Sequence, residues 1–273
     1  MEIIGLGNAG YEICKLFSKR GRTTFSIDTN KDASFIFPKA ETMEEAESKT
    51  PPLDLIKGSL KGDELLFVMA GGGVISGASL AILEQFKNKK ISVLYIQPDA
   101  SFLNNISRKR ERAVRNILQE FVRSGMLEKI YLISNKDLAN LIPDISIGTY
   151  FTKINEKIVN MWELYQYYSK VSPIMGNIEQ PSDIDRITSF GIYDLNSEKE
   201  SAFFNLENIR QKHFYFALSS TTLQDTGKVL QLVIEKLEKA KDTELVEISH
   251  AFFDSGYEVD NVYVLYYTNH IQS

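Results

Sequence analysis

Residues 66–80 read LFVMAGGGVISGASL: an apolar run ends in Gly71-Gly72-Gly73 and passes through Val74-Ile75-Ser76-Gly77 into a helical pattern. A buried strand that enters a helix through bare backbone presents free N–H groups and the positive end of a helix to an anion. A second turn of this kind lies at the N-terminus, where Gly5-Leu6-Gly7-Asn8-Ala9-Gly10 separates the strand pattern MEIIGLG from the helical pattern YEICKLFSKRG. The next strand, TTFSID, closes on Asp28. Taken alone, G-x-G-x-x-G followed by a strand-ending carboxylate is a dinucleotide fingerprint. One reading is therefore an NAD(P)-dependent oxidoreductase with Asp28 on the ribose hydroxyls. A dehydrogenase needs one phosphate loop, however, and two at one sheet edge suit a longer polyphosphate held from both sides.

Outward from these turns, ELLFVMA, ISVLYIQP and KIYLIS alternate with the helical patterns SGASLAILEQFKNK and RERAVRNILQEFVRSGM. Near-continuous apolar strands alternating with helices predict a mostly parallel, Rossmann-like α/β sheet covered on both faces. Residues 38–63, interrupted by SKTPP, read as a loop with one helix. A long helical pattern over about 146–170 carries Tyr, Phe, Trp and Ile on most turns. VSPIMGNIEQPSD reads as an exposed loop and SDIDRITSFG as the start of a short helix. The strand KHFYFALSS, the helix TGKVLQLVIEKLEKA and the strands LVEISHAFF and NVYVLYYTN follow, the last two close enough in sequence to pair antiparallel. The expected organisation is a nucleotide-binding domain over 1–174, including the long central helix, and a smaller α/β domain over 175–273.

The 273 residues carry a formal charge of −5, which gives no attraction to nucleic acid or anionic membrane. The one basic cluster, RKRERAVR at 108–115, contains Glu111 and reads as a solvated helix face. Cys14 lies in an apolar-periodic segment and reads as a small buried hydrophobe. No signal peptide and no run of about 18 apolar residues is present, so a cytoplasmic, reducing compartment is expected. His213, His250 and His270 lack metal-ligand spacing, and no metal site is expected from them.

With both glycine turns in view, the chain resembles the tubulin/FtsZ superfamily of GTP-binding, filament-forming proteins. The family loop Gly-Gly-Gly-Thr-Gly-Thr-Gly is similar to Gly71-Gly72-Gly73-Val74-Ile75-Ser76-Gly77, with Val74 and Ile75 departing from it. A β-branched residue at 75 does not reach positive φ cheaply, so this loop is expected to follow a different path. GLGNAG, supplying Gly5, Gly7, Asn8, Ala9 and Gly10, looks like the family's first nucleotide loop, and Asp28-Thr29-Asn30 resembles the Asn-Thr-Asp after its second strand. The resemblance implies that Arg110 reaches the phosphates and that Asn135 in LISNKDL contacts guanine or ribose. At the start of the central helix it implies Phe151 as the aromatic on guanine and Asn155, or Glu156, as the hydrogen-bonding partner of its edge. Asn177-Ile178-Glu179-Gln180-Pro181-Ser182-Asp183 is similar to the family loop that enters the next subunit's nucleotide pocket. It implies Asn177, Glu179 and Asp183 as catalytic, with Asp185 an alternative to Asp183, since carboxylates position and deprotonate the attacking water.

The implied protein is a short, divergent relative, such as one encoded by a virus or mobile element, that binds GTP or GDP across both turns and assembles head to tail into a homopolymer. Any magnesium is implied to be held through the phosphates. A non-hydrolysing assembly protein of the same fold stays open beside the GTPase and the oxidoreductase. The segment between Asp28 and Gly71 has no glycine-rich third loop, only Lys57-Gly58 and Lys61-Gly62.

Overall fold

The computed structural model describes residues 1–224, 227, 230, 231, 233–235 and 246–273. The chain divides into two compact units, Met1–Asn160 with Ile271–Ser273, and Met161–His270. No helix among the described residues is long and apolar enough to cross a membrane.

The first unit is built on six strands, β1 (Glu2–Leu6), β2 (Thr24–Asp28), β3 (Phe35–Ile36), β4 (Glu64–Ala70), β5 (Lys90–Gln97) and β6 (Lys129–Ser134). They lie in the order β3-β2-β1-β4-β5-β6, every pairing parallel. Burial explains their composition: β1 is buried at every position, and β4 at all but its two ends. A parallel sheet with both faces covered selects such unbroken Val, Ile, Leu and Phe runs. Because the strands are parallel, their last residues line one edge, with Leu6 beside Ile27 and Met69, and Gln97 beside Ser134.

The helices of this unit are α1 (Gly7–Lys19), α2 (Met43–Ser48), α3 (Asp54–Ser59), α4 (Ser79–Glu84), α5 (Asn105–Arg123), α6 (Asn135–Ala139) and α7 (Tyr150–Tyr168), whose residues beyond Asn160 belong to the second unit. Residues 38–63 thus hold two short helices where one was expected. The signal for the first is Thr42-Met43-Glu44-Glu45, in which the Thr42 hydroxyl accepts from the Glu45 N–H at 3.1 Å, an N-cap of the usual type. Cys14 is buried, and burial pushes its thiol up to about 12, the behaviour of a core hydrophobe and not of a nucleophile.

The second unit holds β7 (Met175–Asn177), β8 (Ile187–Asp194), β9 (Lys199–Ala202), β10 (Gln211–Leu218), α8 (Ser220–Gln224), β11 (Glu247–Asp254) and β12 (Asn261–Thr268). The order is β8-β12-β10-β11-β7, with β9 on β8. Two expectations are corrected. SDIDRITSFG, residues 182–191, starts no helix: Ile187–Asp194 is a strand, consistent with its β-branched and aromatic residues and buried at six of eight positions. The strands β11 and β12 do not pair with each other. β10 lies between them, parallel to β11 and antiparallel to β12. Most of TGKVLQLVIEKLEKA lies outside the described residues. The aromatic stripe of α7 is core in part: Trp162 meets Phe190 edge-on, and Tyr168 packs on Phe253 and stacks on Tyr263, while Phe151 and Tyr167 are exposed.

Candidate functional site

The candidate ligand residues of the first unit follow the C-terminal ends of its parallel strands, the edge at which open α/β sheets take ligands. At the first turn, Gly7 opens α1 with φ +71°, and the N-cap Leu6 offers no side-chain hydrogen bond. The first N–H groups of this 13-residue helix therefore have no side-chain cap. Asn8 is exposed and Ala9 half-buried beside it. Gly5 and Gly10 do different work. A Cβ on Gly5 would stand 2.3 Å from the Gly10 carbonyl oxygen, and one on Gly10 would stand 2.7 Å from that of Val68, so both serve the close seating of α1 on β1 and β4.

The second turn separates into supporting and open glycines. A Cβ on Gly71 would fall 2.0 Å from the Tyr95 hydroxyl, and one on Gly77 2.4 Å from the Met43 carbonyl oxygen. Gly72 has φ +91° and lies near Leu103 and Ser107 at the entry to α5. Around Gly73 nothing stands within 4 Å of a Cβ position, leaving bare backbone facing open space. Residues Val74–Ala78 then form a 3-10 turn whose hydrogen bonding begins with the Ser76 N–H on the Gly73 carbonyl at 3.2 Å. The Ser76 side chain is buried, and its hydroxyl donates to the same carbonyl at 2.6 Å. Its proton is thus committed to the turn. Ile75 packs its Cγ2 methyl 3.0 Å from a Cβ position on Gly7, bringing the two turns into contact.

A buried polar network supports Gly71. The Tyr95 hydroxyl donates toward the Glu111 carbonyl oxygen and Oε1 at 3.1 and 3.2 Å, and Glu111 Oε1 accepts from Arg115 Nε at 2.8 Å. Arg115 Nη1 reaches the Gln272 carbonyl at 2.7 Å, and Gln119 Oε1 accepts from the Gln272 N–H at 2.8 Å. Burial, then the Glu111 charge, pushes the Tyr95 hydroxyl well above its ordinary range. The basic cluster is therefore not wholly a solvated face, since Glu111 and Arg115 are buried. None of these five residues is given a supporting role by the sequence alone. Glu111 and Arg115 at helical i,i+4 spacing were the available signal; nothing local marks Tyr95 or Gln272.

Asp28 is buried at the end of β2, and its Oδ1 accepts from the Thr29 N–H at 2.6 Å. Asn30 folds back on its own turn, accepting from the Asp32 N–H at 3.0 Å. Arg110 is half-buried on α5. Its charge acts on Glu44 of α2, whose carboxyl is held low by its own backbone N–H, then by the Thr42 hydroxyl, with Arg110 adding a smaller pull. Asn135 opens α6 and is buried; its Oδ1 has no hydrogen-bond partner, and its carbonyl accepts from the Tyr150 hydroxyl at 3.4 Å. Tyr150 packs edge-on between Phe102 and the exposed ring of Phe151, at 5.7 and 5.1 Å. Asn155 is buried one turn further along α7, and Glu156 is exposed.

In the second unit Asn177 ends β7, paired with His250 of β11. Asn177, Glu179 and Asp183 are all exposed. Asp185 is buried to 1 % exposure, with both oxygens lacking a hydrogen bond and Arg210 Nε 3.4 Å away. That burial sets it apart from an acid available to another chain, and of the two alternatives Asp183 is the exposed one. Among the described residues no group of three or more His, Cys, Asp or Glu is placed to hold a metal ion.

The donor set suits a purine nucleotide. Uncapped N–H groups at α1 and the open backbone of Gly73 suit phosphate oxygens, while the orphaned acceptor of Asn135 suits an N–H edge beside the Tyr150–Phe151 aromatics. The residues fit such a group, with the contacts made more by backbone than by side chains.

No family model matches the sequence, and no curated protein matches it. Solved structures do. The empty FtsZ dimer of M. jannaschii superposes with a TM-score of 0.67 at 14% identity over 98% of this chain and 88% of that one. A GTPγS-form protofilament of TubZ from Bacillus thuringiensis serovar israelensis gives 0.66 at 13% identity over 97% and 86%. The GTPγS-bound protofilament of CetZ2 from Haloferax volcanii gives 0.66 at 13% over 100% and 94%. The chain has the tubulin/FtsZ superfamily fold.

Proposed function

We propose that this chain binds a guanine nucleotide, GTP or GDP, across the two glycine turns and self-associates head to tail in the cytoplasm. The observation that carries the reading is the pair of glycine turns on the neighbouring strands β1 and β4, one opening an uncapped helix and the other leaving Gly73 bare. The fold shared with FtsZ, TubZ and CetZ directs that geometry toward guanine nucleotide in preference to NAD. Gly7, Asn8 and Gly73 hold phosphate oxygens through their N–H groups, Asn135 and Asn155 bond the base, and Phe151 stacks on it. Any magnesium is carried by phosphates and water. The nucleotide supplies the phosphoanhydride bond to be broken. Asn177, Glu179 and Asp183 of one copy orient a water at the site of the next, and a carboxylate of Glu179 or Asp183 takes its proton as the water attacks the terminal phosphorus and the nucleoside diphosphate leaves. A contact between unlike surfaces of identical chains closes into a ring if its rotation closes and propagates as a filament if it does not; the open filament is the assembly proposed for this chain.

A thermal-shift panel of GTP, GDP, ATP and NAD, with pelleting in the presence of GTP, tests this reading. A guanine nucleotide at 100 times its Kd stabilises by about 2.7 kcal/mol. Stabilisation by NAD alone would overturn the proposal in favour of the oxidoreductase. Replacing Glu179 and Asp183 by Ala is expected to stop phosphate release while leaving nucleotide binding intact; unchanged release would remove the catalytic role from these acids. Absence of release in the parent protein, with assembly retained, would identify a non-hydrolysing polymer.

A further inference from the structure

We infer that Ile75 is a specificity-determining residue that makes the site favour a nucleoside diphosphate over a triphosphate, an inference that rests on the nucleotide reading above. Its Cγ2 methyl lies 3.0 Å from the Cβ position of Gly7, where the first turn bends through φ +71° into α1. An atom at that position would be crowded, and the methyl would have to give by a few tenths of an ångström to admit it. The contact is also fixed from behind. Ile75 lies inside the 3-10 turn, the Ser76 N–H and hydroxyl both close on the Gly73 carbonyl, and Gly77 is pressed against the Met43 backbone. The turn therefore has little freedom to withdraw.

The consequences differ with phosphate chain length. A diphosphate is served by the uncapped N–H groups of α1 on one side and by Gly73 on the other. In this reading an additional phosphate enters the gap between the turns, where a hydrocarbon branch stands instead of a hydrogen-bond donor. Ser76 does not compensate, because its hydroxyl proton is already used within the turn. Steric exclusion and the desolvation of an anionic oxygen against a methyl group act in the same direction.

The test compares the dissociation constants of GDP and a slowly hydrolysed GTP analogue for the parent chain, Ile75→Ala, and Val74→Ala as the control in the same turn. Ile75→Ala is expected to tighten the triphosphate by roughly tenfold, the scale of a few carbon atoms at a binding wall, and the diphosphate by less than about twofold. Val74→Ala is expected to leave the ratio of the two constants unchanged. Ile75 is only half-buried, so the substituted chain retains its fold, which its melting temperature reports. Equal tightening of both nucleotides, or none, with binding otherwise intact, would overturn the selectivity and leave the nucleotide reading standing. Failure of every variant to bind either nucleotide would overturn both.

Discussion

Arg115→Met isolates the buried network beneath the second glycine turn. Arg115 is 3 % exposed and gives Nε to Glu111 and Nη1 to the Gln272 carbonyl. Methionine keeps much of its length and removes both donors, leaving the Glu111 carboxylate buried without its cation. Breaking a buried pair from one side costs about 3–5 kcal/mol. The assay follows from the composition. The single tryptophan, Trp162, belongs to the second unit, whereas the single cysteine, Cys14, is buried in the first. Thiol labelling under native conditions reports opening of the unit that holds Arg115, and tryptophan fluorescence reports the other. A loss of 3–5 kcal/mol should accelerate Cys14 labelling by about two to three and a half orders of magnitude. Adding Glu111→Gln to Arg115→Met should recover a large part of that loss, because the stranded charge is then gone. Labelling accelerated by less than about threefold would refute the account. So would a double variant no more protected than the single one.

Gly71 and Gly73 of the second turn separate support from contact. Gly71→Ala drives a methyl into the Tyr95 hydroxyl and should melt several degrees lower, whereas Gly73→Ala meets open space and should melt with the parent while binding nucleotide more weakly. A normal melt for Gly71→Ala, or a lowered one for Gly73→Ala, contradicts the assignment. Asp185 predicts a pH effect. Burial raises its carboxyl above the usual range, Arg210 only partly opposing it and Glu247 adding to it. A raised folded-state value means that the folded chain holds the proton longer than the unfolded one. Its contribution to stability is therefore present in acid and lost as pH rises from the ordinary carboxylate range through the raised value. Asp185→Asn should melt higher than the parent at pH 7 and converge with it toward pH 4, and parallel melting curves across that range would contradict this.

How far the sequence speaks depends on how local each cause is. The parallel sheet was legible because β1, β4, β5 and β6 each carry the apolar run that two covered faces demand, and the glycine turns stood where those runs ended. Partner choice in the second unit was not, since proximity in sequence favoured β11 with β12 while β10 entered between them from some 30 residues upstream of β11. RITSFGIYD followed Pro and acidic residues that suggested a helix start, and only its pairing with β12 fixed it as a strand. At the site, the departure at Ile75 was visible, but its contact with Gly7 is a distance between turns more than 60 residues apart. The burial of Asp185, two residues from the exposed Asp183, likewise arises from the surrounding strands and leaves no trace in its own neighbours.

The segment bearing Glu179 is short and held at both ends. Asn177 is registered against His250 in the β7–β11 ladder, and the Ser182 N–H donates to Gln211 Oε1 at 3.2 Å. Only residues 178–181 span the interval. Fixing a backbone residue costs about 1–2 kcal/mol in lost conformational freedom, so a loop with so few free residues gives up little when it meets another chain. Its reach is bounded as well: Glu179 is confined to a narrow arc between two posts. A single residue inserted after Ile178 would lengthen that arc without disturbing either post, turning the spacing between acid and partner into a variable that can be set one residue at a time.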